Sequence, residues 1–365
     1  MLYIKNNILS VIIIIGIIQA IITNILSIGI PLLPLFNVFF LLFYYATSLF
    51  GAHKIKFNAE FYVLFLSLSF LFLIGVAKNS TNIKEIIFHL NVIIALIVGK
   101  TVAKDYDFQF KIPVKFLIAY LIISIVIHVF FWELVAGKIY SDDGYLGLKT
   151  NGFNRLYGLL FNPLANAYFL LLMLFFTYSL HRKGFFLLKV LLVACIALAI
   201  TRGAIVSLGL FLVFYLIYER KWVYIALIIG MIYLAYLLVE PVTIIIDSII
   251  KMEDSQGSAQ AHNESMSNAI DYILNTPFGG GFSDKFVESW ILNYGLFYGY
   301  AGIAVLILFM AYIGINLLRK GKIYFAMLFV SFLPVTLIIP FHTFNLPIVL
   351  FFIFTYYLYY RKIPV

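Results

Sequence analysis

Residues 8–30, ILSVIIIIGIIQAIITNILSIGI, decide the fold of this chain. They hold no charge for 23 positions, and a helix of that length reaches about 34 Å, enough to cross the roughly 30 Å of bilayer hydrocarbon. The run is too long for the core of a signal peptide and lacks a small-residue cleavage site, so it reads as a first membrane span. Runs of the same character recur to the end of the chain. Of its 365 residues, 64% are hydrophobic and 11% charged, whereas a soluble exterior needs roughly 25% charge. The chain is therefore expected to be an all-α, polytopic integral membrane protein forming a single membrane domain over 1–365.

Charged breaks divide the sequence into twelve expected spans, near 8–30, 33–51, 60–77, 86–99, 116–135, 158–180, 185–200, 203–218, 222–239, 297–318, 323–340 and 346–360. With the N-terminus in the cytoplasm, 17 of the 25 basic residues and 4 of the 16 acidic residues fall inside, a net +13. The outer segments hold the other 8 basic and 12 acidic residues, a net −4. That bias is what orients inner-membrane proteins, and it puts both termini in the cytoplasm. It also explains the overall charge of +9 without nucleic acid, since basic loops meet anionic lipid headgroups. The single cysteine, Cys195, excludes an internal disulfide or thiolate metal site.

Two outer segments exceed a turn: 136–157, and a main loop over 240–290. Within the main loop Met266, Ile270, Ile273 and Leu274 recur at helical spacing, opposite Asn263, Ser267, Asp271 and Asn275. This predicts a short amphipathic helix lying in the membrane interface. Thr276-Pro277 ends it. Gly279, Gly280 and Gly281 follow at once, where a backbone without Cβ atoms can approach a ligand and offer N–H groups to an anion.

Charges near membrane depth are costly unless paired or at work. Arg202, in AITRGAIVSL, and Arg155, in GFNRLYGLLFNPLANAYF, each lead into a span at the outer face. A hairpin tip or a snorkelling side chain also accommodates an arginine there. The functional alternative is a pair of fixed cations, since the guanidinium fork suits phosphate oxygens and keeps its proton. Around them Tyr157, Asn162 and Asn263 offer neutral hydrogen-bonding groups. Glu288 and His262 are candidate bases, although an acid at a helix start or a surface histidine needs no such role. Trp290 and Tyr294 are candidate stacking platforms for sugar rings, or simply part of an aromatic belt. His342 is placed outside as a further sugar contact or base. No P-loop, Asp-x-Asp or His-Glu-x-x-His motif is present, so the energy for any reaction arrives with the substrate.

The ordered set NRLYGLLFNPLANAYF (154–169), TRGAIVSL (201–208), AHNESMSNAIDYILNTPFGGGF (261–282) and VESWILNYGLFYGYAGI (287–303) resembles the bacterial O-antigen polymerase and ligase superfamily, most closely the Wzy-type polymerases of O-antigen and capsule. The resemblance covers roughly 150–320. It implies a helical bundle with a large periplasmic loop. The implied activity is glycosyl transfer between undecaprenyl-diphosphate-linked glycans at the periplasmic face of the inner membrane, in lipopolysaccharide or polysaccharide biosynthesis, without metal or nucleotide cofactor. By the same resemblance Arg155 and Arg202 hold diphosphates, His262 opens the loop helix, and Pro277 to Gly281 form a Pro-x-Gly-x-Gly segment. Glu288-Ser289-Trp290 stands where the ligase branch has His-Asn, which favours polymerase over ligase. The expected partners are a lipid-linked glycan donor and acceptor, the bilayer and a chain-length regulator. The alternatives are ligase-type transfer to another acceptor, or a lipid-linked oligosaccharide flippase.

Overall fold

A computed structural model describes residues 2–25, 31–49, 59–105, 114–139, 149–150, 153–180, 185–224, 226, 230, 233, 237, 258–283, 285–338 and 340–360. Helices account for nearly all of them, as apolar surroundings require, because a helix satisfies its own backbone hydrogen bonds. They are α1 (Leu2–Ile25), α2 (Leu32–Leu49), α3 (Ala59–Lys78), α4 (Ile83–Asp105), α5 (Val114–Phe130), α6 (Trp132–Ile139), α7 (Pro163–Leu180), α8 (Phe186–Leu198), α9 (Arg202–Tyr218), α10 (Ser258–Asn275), α11 (Trp290–Tyr298), α12 (Tyr300–Arg319), α13 (Ile323–Ile338) and α14 (Asn345–Tyr360). The exceptions are two 3-10 turns, Gly158–Leu160 and Phe341–Thr343, and a minimal antiparallel pair, β1 (Lys149–Thr150) with β2 (Phe153–Asn154).

Four helices are long and apolar enough to cross a membrane, in the windows Ile8–Ile25, Phe61–Lys78, Ile83–Ala103 and Tyr300–Arg319. Seven more are apolar but shorter. Their outward faces are greasy: Phe39 is 67% exposed and Phe70 65%. A water-facing surface does not carry such a belt, and lipid does.

At the centre lie α4 and α14. Residues Leu346 to Leu358 of α14 are all buried, so this helix is apolar on every side because every side meets protein. It can approach α4 because position 99 is glycine. A Cβ there would lie 2.6 Å from the backbone carbonyl carbon of Phe352, so the two backbones touch, as small residues allow at membrane helix crossings.

One end of the bundle collects lysines. The Lys322 Nζ donates to the carbonyls of Leu358 and Tyr359, both at 2.9 Å, satisfying the last turn of α14. Lys100 lies 4.0 Å from the centre of the Phe61 ring, Lys189 4.2 Å from Tyr178 and Lys320 3.6 Å from Tyr359. This is the end that the charge bias assigns to the cytoplasm.

Several boundaries differ from the sequence expectation. The fourth expected span, 86–99, is longer, and α4 takes in Glu85. The fifth divides at Phe131 into α5 and α6. The sixth begins at Pro163 after a turn in which Phe161 is left-handed, φ 54°. The tenth, expected from 297, divides at Gly299 (φ 68°) into α11 and α12. In the loop helix α10 the buried stripe is also rotated. Ala269 and Ile273 are buried while Ile270 and Leu274 are exposed, because Ile273 seats its Cδ1 against Gly295 of α11. Most of the ninth span and residues 240–257 of the main loop lie outside the described residues.

The crossing at Gly99 gives a direct test. Gly99→Ala forces the α4 and α14 backbones apart and is expected to cost about 1–3 kcal/mol, read as a lowered unfolding midpoint in detergent. Gly209→Ala, with nothing within 4 Å of its new methyl, is expected to leave that midpoint unchanged or slightly raised.

Candidate functional site

The opposite end of the bundle holds Arg155. Its Nε donates to the Ala199 carbonyl at 3.1 Å and its Nη2 to the Thr201 hydroxyl at 3.1 Å. Those two residues flank Ile200, which turns the chain from α8 into α9 with φ at 47°. A β-branched residue in the left-handed region is strained by about 1–3 kcal/mol. Arg155 thus clamps a strained corner from both sides, and the Leu156 N–H adds a bond to the Leu198 carbonyl at 2.9 Å. The next residue after Thr201 is Arg202, first in α9. Arg155 therefore binds the residue that precedes Arg202, which brings two chain positions distant in sequence to one corner.

Glu288 lies two residues before α11. It is exposed, and Ser289 after it caps the helix by accepting from the Leu292 N–H at 3.3 Å. Near the start of α7, Tyr168 is fully buried and its hydroxyl has no hydrogen-bond partner among the described residues.

Other expected site residues serve the fold. Trp290 and Tyr294 are 0% and 2% exposed and pack in an aromatic cluster with Phe341, Phe351 and Tyr298, so neither presents a face to a sugar. Tyr157 is buried too, donating its hydroxyl to the Trp132 carbonyl at 3.3 Å. Asn162 caps α7, accepting from the N–H groups of Leu164 and Ala165 at 2.9 and 3.1 Å, with Pro163 at the first helical position where its missing N–H costs nothing. Asn263 is exposed on α10. His262 sits on the same helix, but its side chain lies outside the described residues.

The glycine run is the clearest correction. Its three N–H groups are all taken by the protein: Gly279 donates to Thr276, Gly280 to Leu296 and Gly281 to Phe297, at 2.9, 2.9 and 3.1 Å. None is offered to an anion. The residues are glycine because Gly279 and Gly281 have φ of 69° and 72°, and because other backbones press against them. A Cβ on Gly281 would lie 2.6 Å from the Asn79 nitrogen, and one on Gly279 would collide with the Phe297 carbonyl. The segment is stitched onward by Phe282 N–H to the Asn79 carbonyl and Tyr300 N–H to the Pro277 carbonyl, both at 2.9 Å.

His342, expected at the outer surface, is fully buried. Its Nε2 lies 3.2 Å from the Glu85 Oε2, and His89, one turn along α4 from Glu85, brings its Nε2 to 3.8 Å from the same oxygen. The His89 Nδ1 bonds to the Tyr298 hydroxyl at 2.7 Å. This cluster joins the arginine corner through Phe341, whose ring packs 5.8 Å from both Tyr168 and Trp290. Glu85 and His89 were missed because the expected span began at residue 86. The signal was a carboxylate and a histidine four apart at the head of an otherwise apolar helix, a spacing that puts both on one face.

Comparison with protein-family models, with characterised proteins and with solved structures finds no match for this chain.

Two outcomes separate packing from ligand binding. Gly281→Ala is expected to lower the amount of folded protein in the membrane, whereas a ligand-cradling glycine would leave the amount intact and lose only activity. Arg155→Ala is expected to destabilise by about 2 kcal/mol through loss of its charged hydrogen bonds. Ile200→Gly in the same background is expected to regain about 1 kcal/mol by removing the left-handed penalty, both read from unfolding midpoints in detergent.

Proposed function

We propose that this chain is a glycosyltransferase of a bacterial inner membrane that polymerises undecaprenyl-diphosphate-linked oligosaccharide repeat units, as O-antigen and capsule polymerases do, at its arginine end. The observation that carries the reading is the meeting of Arg155 and Arg202 at the α8–α9 corner. The ordered motifs over 150–320 supply the family resemblance, and the basic bias of the lysine end supports reading the arginine end as the periplasmic one.

The chemistry follows from the charges. In chain extension an acceptor sugar hydroxyl attacks the anomeric carbon of the donor glycan. The new bond is carbon to acceptor oxygen, and the bond broken is carbon to diphosphate oxygen. The leaving diphosphate departs with the electron pair, and its growing negative charge is what guanidinium groups stabilise well. The acceptor proton passes to a carboxylate, for which Glu288 is the candidate beside the arginines. His262 remains the alternative base. Both substrates are lipid-linked and reach the corner along the bilayer. A side chain that both clamps Ile200 and faces diphosphate combines structure with chemistry, so loss of Arg155 is ambiguous on its own and Arg202 is the better probe.

Arg202→Ala is expected to keep membrane levels and abolish long-chain polymer, leaving single repeat units on the lipid acceptor. Arg202→Lys is expected to retain short chains only, because an ammonium group lacks the bidentate fork. A full ladder of chain lengths from the alanine variant removes Arg202 from the mechanism. A strain lacking the chain that still caps its lipopolysaccharide with single units supports polymerase, and one with no caps supports ligase.

A further inference from the structure

We infer that Glu85, His89 and His342 form a binding site for one divalent cation of the zinc class, held at the arginine end between α4 and the turn before α14. One donor atom from each residue lies within 4.8 Å of the other two, and all three residues are buried. Zinc holds nitrogen and carboxylate donors at about 2.0–2.2 Å in tetrahedral array, which separates neighbouring donors by about 3.4 Å. The two contacts to the Glu85 Oε2, 3.2 and 3.8 Å, bracket that separation. The two histidine donors lie within 4.8 Å of each other, so a common centre is reached by turning the imidazoles inward by up to about an ångström.

Three further features point to an ion. The His89 Nε2 is buried with no hydrogen-bond partner among the described residues, although the residue is 1% exposed, and an unmet buried acceptor costs about 1–3 kcal/mol. Its other nitrogen is already engaged by the Tyr298 hydroxyl. With the Nδ1–H donated to that oxygen, this is the outer hydrogen bond of a ligating histidine, and the Nε2 lone pair faces the metal. Finally, Glu85 is a carboxylate buried at the head of an apolar helix, and a cation supplies the charge that such burial requires. Two imidazoles and one carboxylate make a borderline donor set, suited to Zn2+ and unsuited to Mg2+ or Ca2+, which prefer oxygen. Three protein ligands leave a fourth position, filled by water.

The inference departs from the metal-free expectation of the sequence and stands apart from the glycosyl-transfer reading. Of its residues only His342 was expected to touch sugar, and its burial removes it from that role; the test of the site needs no activity. The bound ion would tie α4, α11 (through Tyr298) and the 341–343 turn together beside Trp290.

The test uses the full chain in detergent, purified through a tag free of histidine. After exposure to Zn2+ and dialysis into metal-free buffer, elemental analysis is expected to find one zinc per chain. Co2+ titration is expected to produce the visible absorption of a low-coordinate cobalt site, saturating at one equivalent. Glu85→Gln and His342→Asn are expected to abolish both signals with helicity unchanged by circular dichroism, and Tyr298→Phe to weaken Zn2+ binding about 10–100-fold. Failure of the wild-type chain to retain zinc or show a cobalt spectrum overturns the site without touching the glycosyltransferase proposal. So does undiminished metal in both folded ligand variants.

Discussion

Backbone meets backbone where α4 crosses α14, and the rest of the arrangement follows from how close that approach is. In lipid there is no hydrophobic force between helices, so association rests on van der Waals contact and interhelical hydrogen bonds. Gly99 removes the side chain that would hold Phe352 away, and the Asn91 amide donates to the Asn345 side-chain oxygen at 3.0 Å nearer the arginine end. With the pair in register, the head of α4 and the turn before α14 are necessarily neighbours. Glu85, His89 and His342 come together for that reason, at positions separated by more than 250 residues of chain.

The two ends of the bundle solve different problems. At the lysine end, cations cap carbonyls and lie over aromatic rings, which lets long side chains bury their stems while the charge stays partnered. At the arginine end, half-buried Arg155 is held against the strained backbone of Ile200. Arg155 spends two donors on the corner around Ile200. An arginine suits this task for the same reason it suits diphosphate: its planar fork aims several N–H groups at once.

The coarse architecture was legible in the sequence, since apolar runs bounded by charges are strong signals, and α1, α3, α9 and α14 lie close to where hydropathy puts them. The α8–α9 break at Thr201-Arg202 was legible too. Local detail was not, because hydropathy carries no information about which side of a helix meets protein. Trp290 and Tyr294 read as stacking platforms and Tyr157 as a hydrogen-bonding group beside Arg155 when all three are core; of the expected stripe Ile273 is buried, while Ile270 and Leu274 are exposed and Ala269 is buried with Ile273. The glycine run was correctly marked as a place of close approach, but the approaching group is the α3–α4 turn and the α11–α12 turn. Long-range pairing of that kind leaves no periodic trace. Glu85 escaped for a different reason, a boundary drawn one residue too late.

The stitching of residues 277–282 has a mechanical consequence. This segment belongs by sequence to the main outer loop, yet its amides and carbonyls are bonded to Asn79 and Asn82 on one side and to Leu296, Phe297 and Tyr300 on the other. It behaves as a rivet between two helix turns. A twist applied to α10 is therefore transmitted to the head of α4, and the amide protons of residues 280–282 exchange with solvent only when the bundle itself opens.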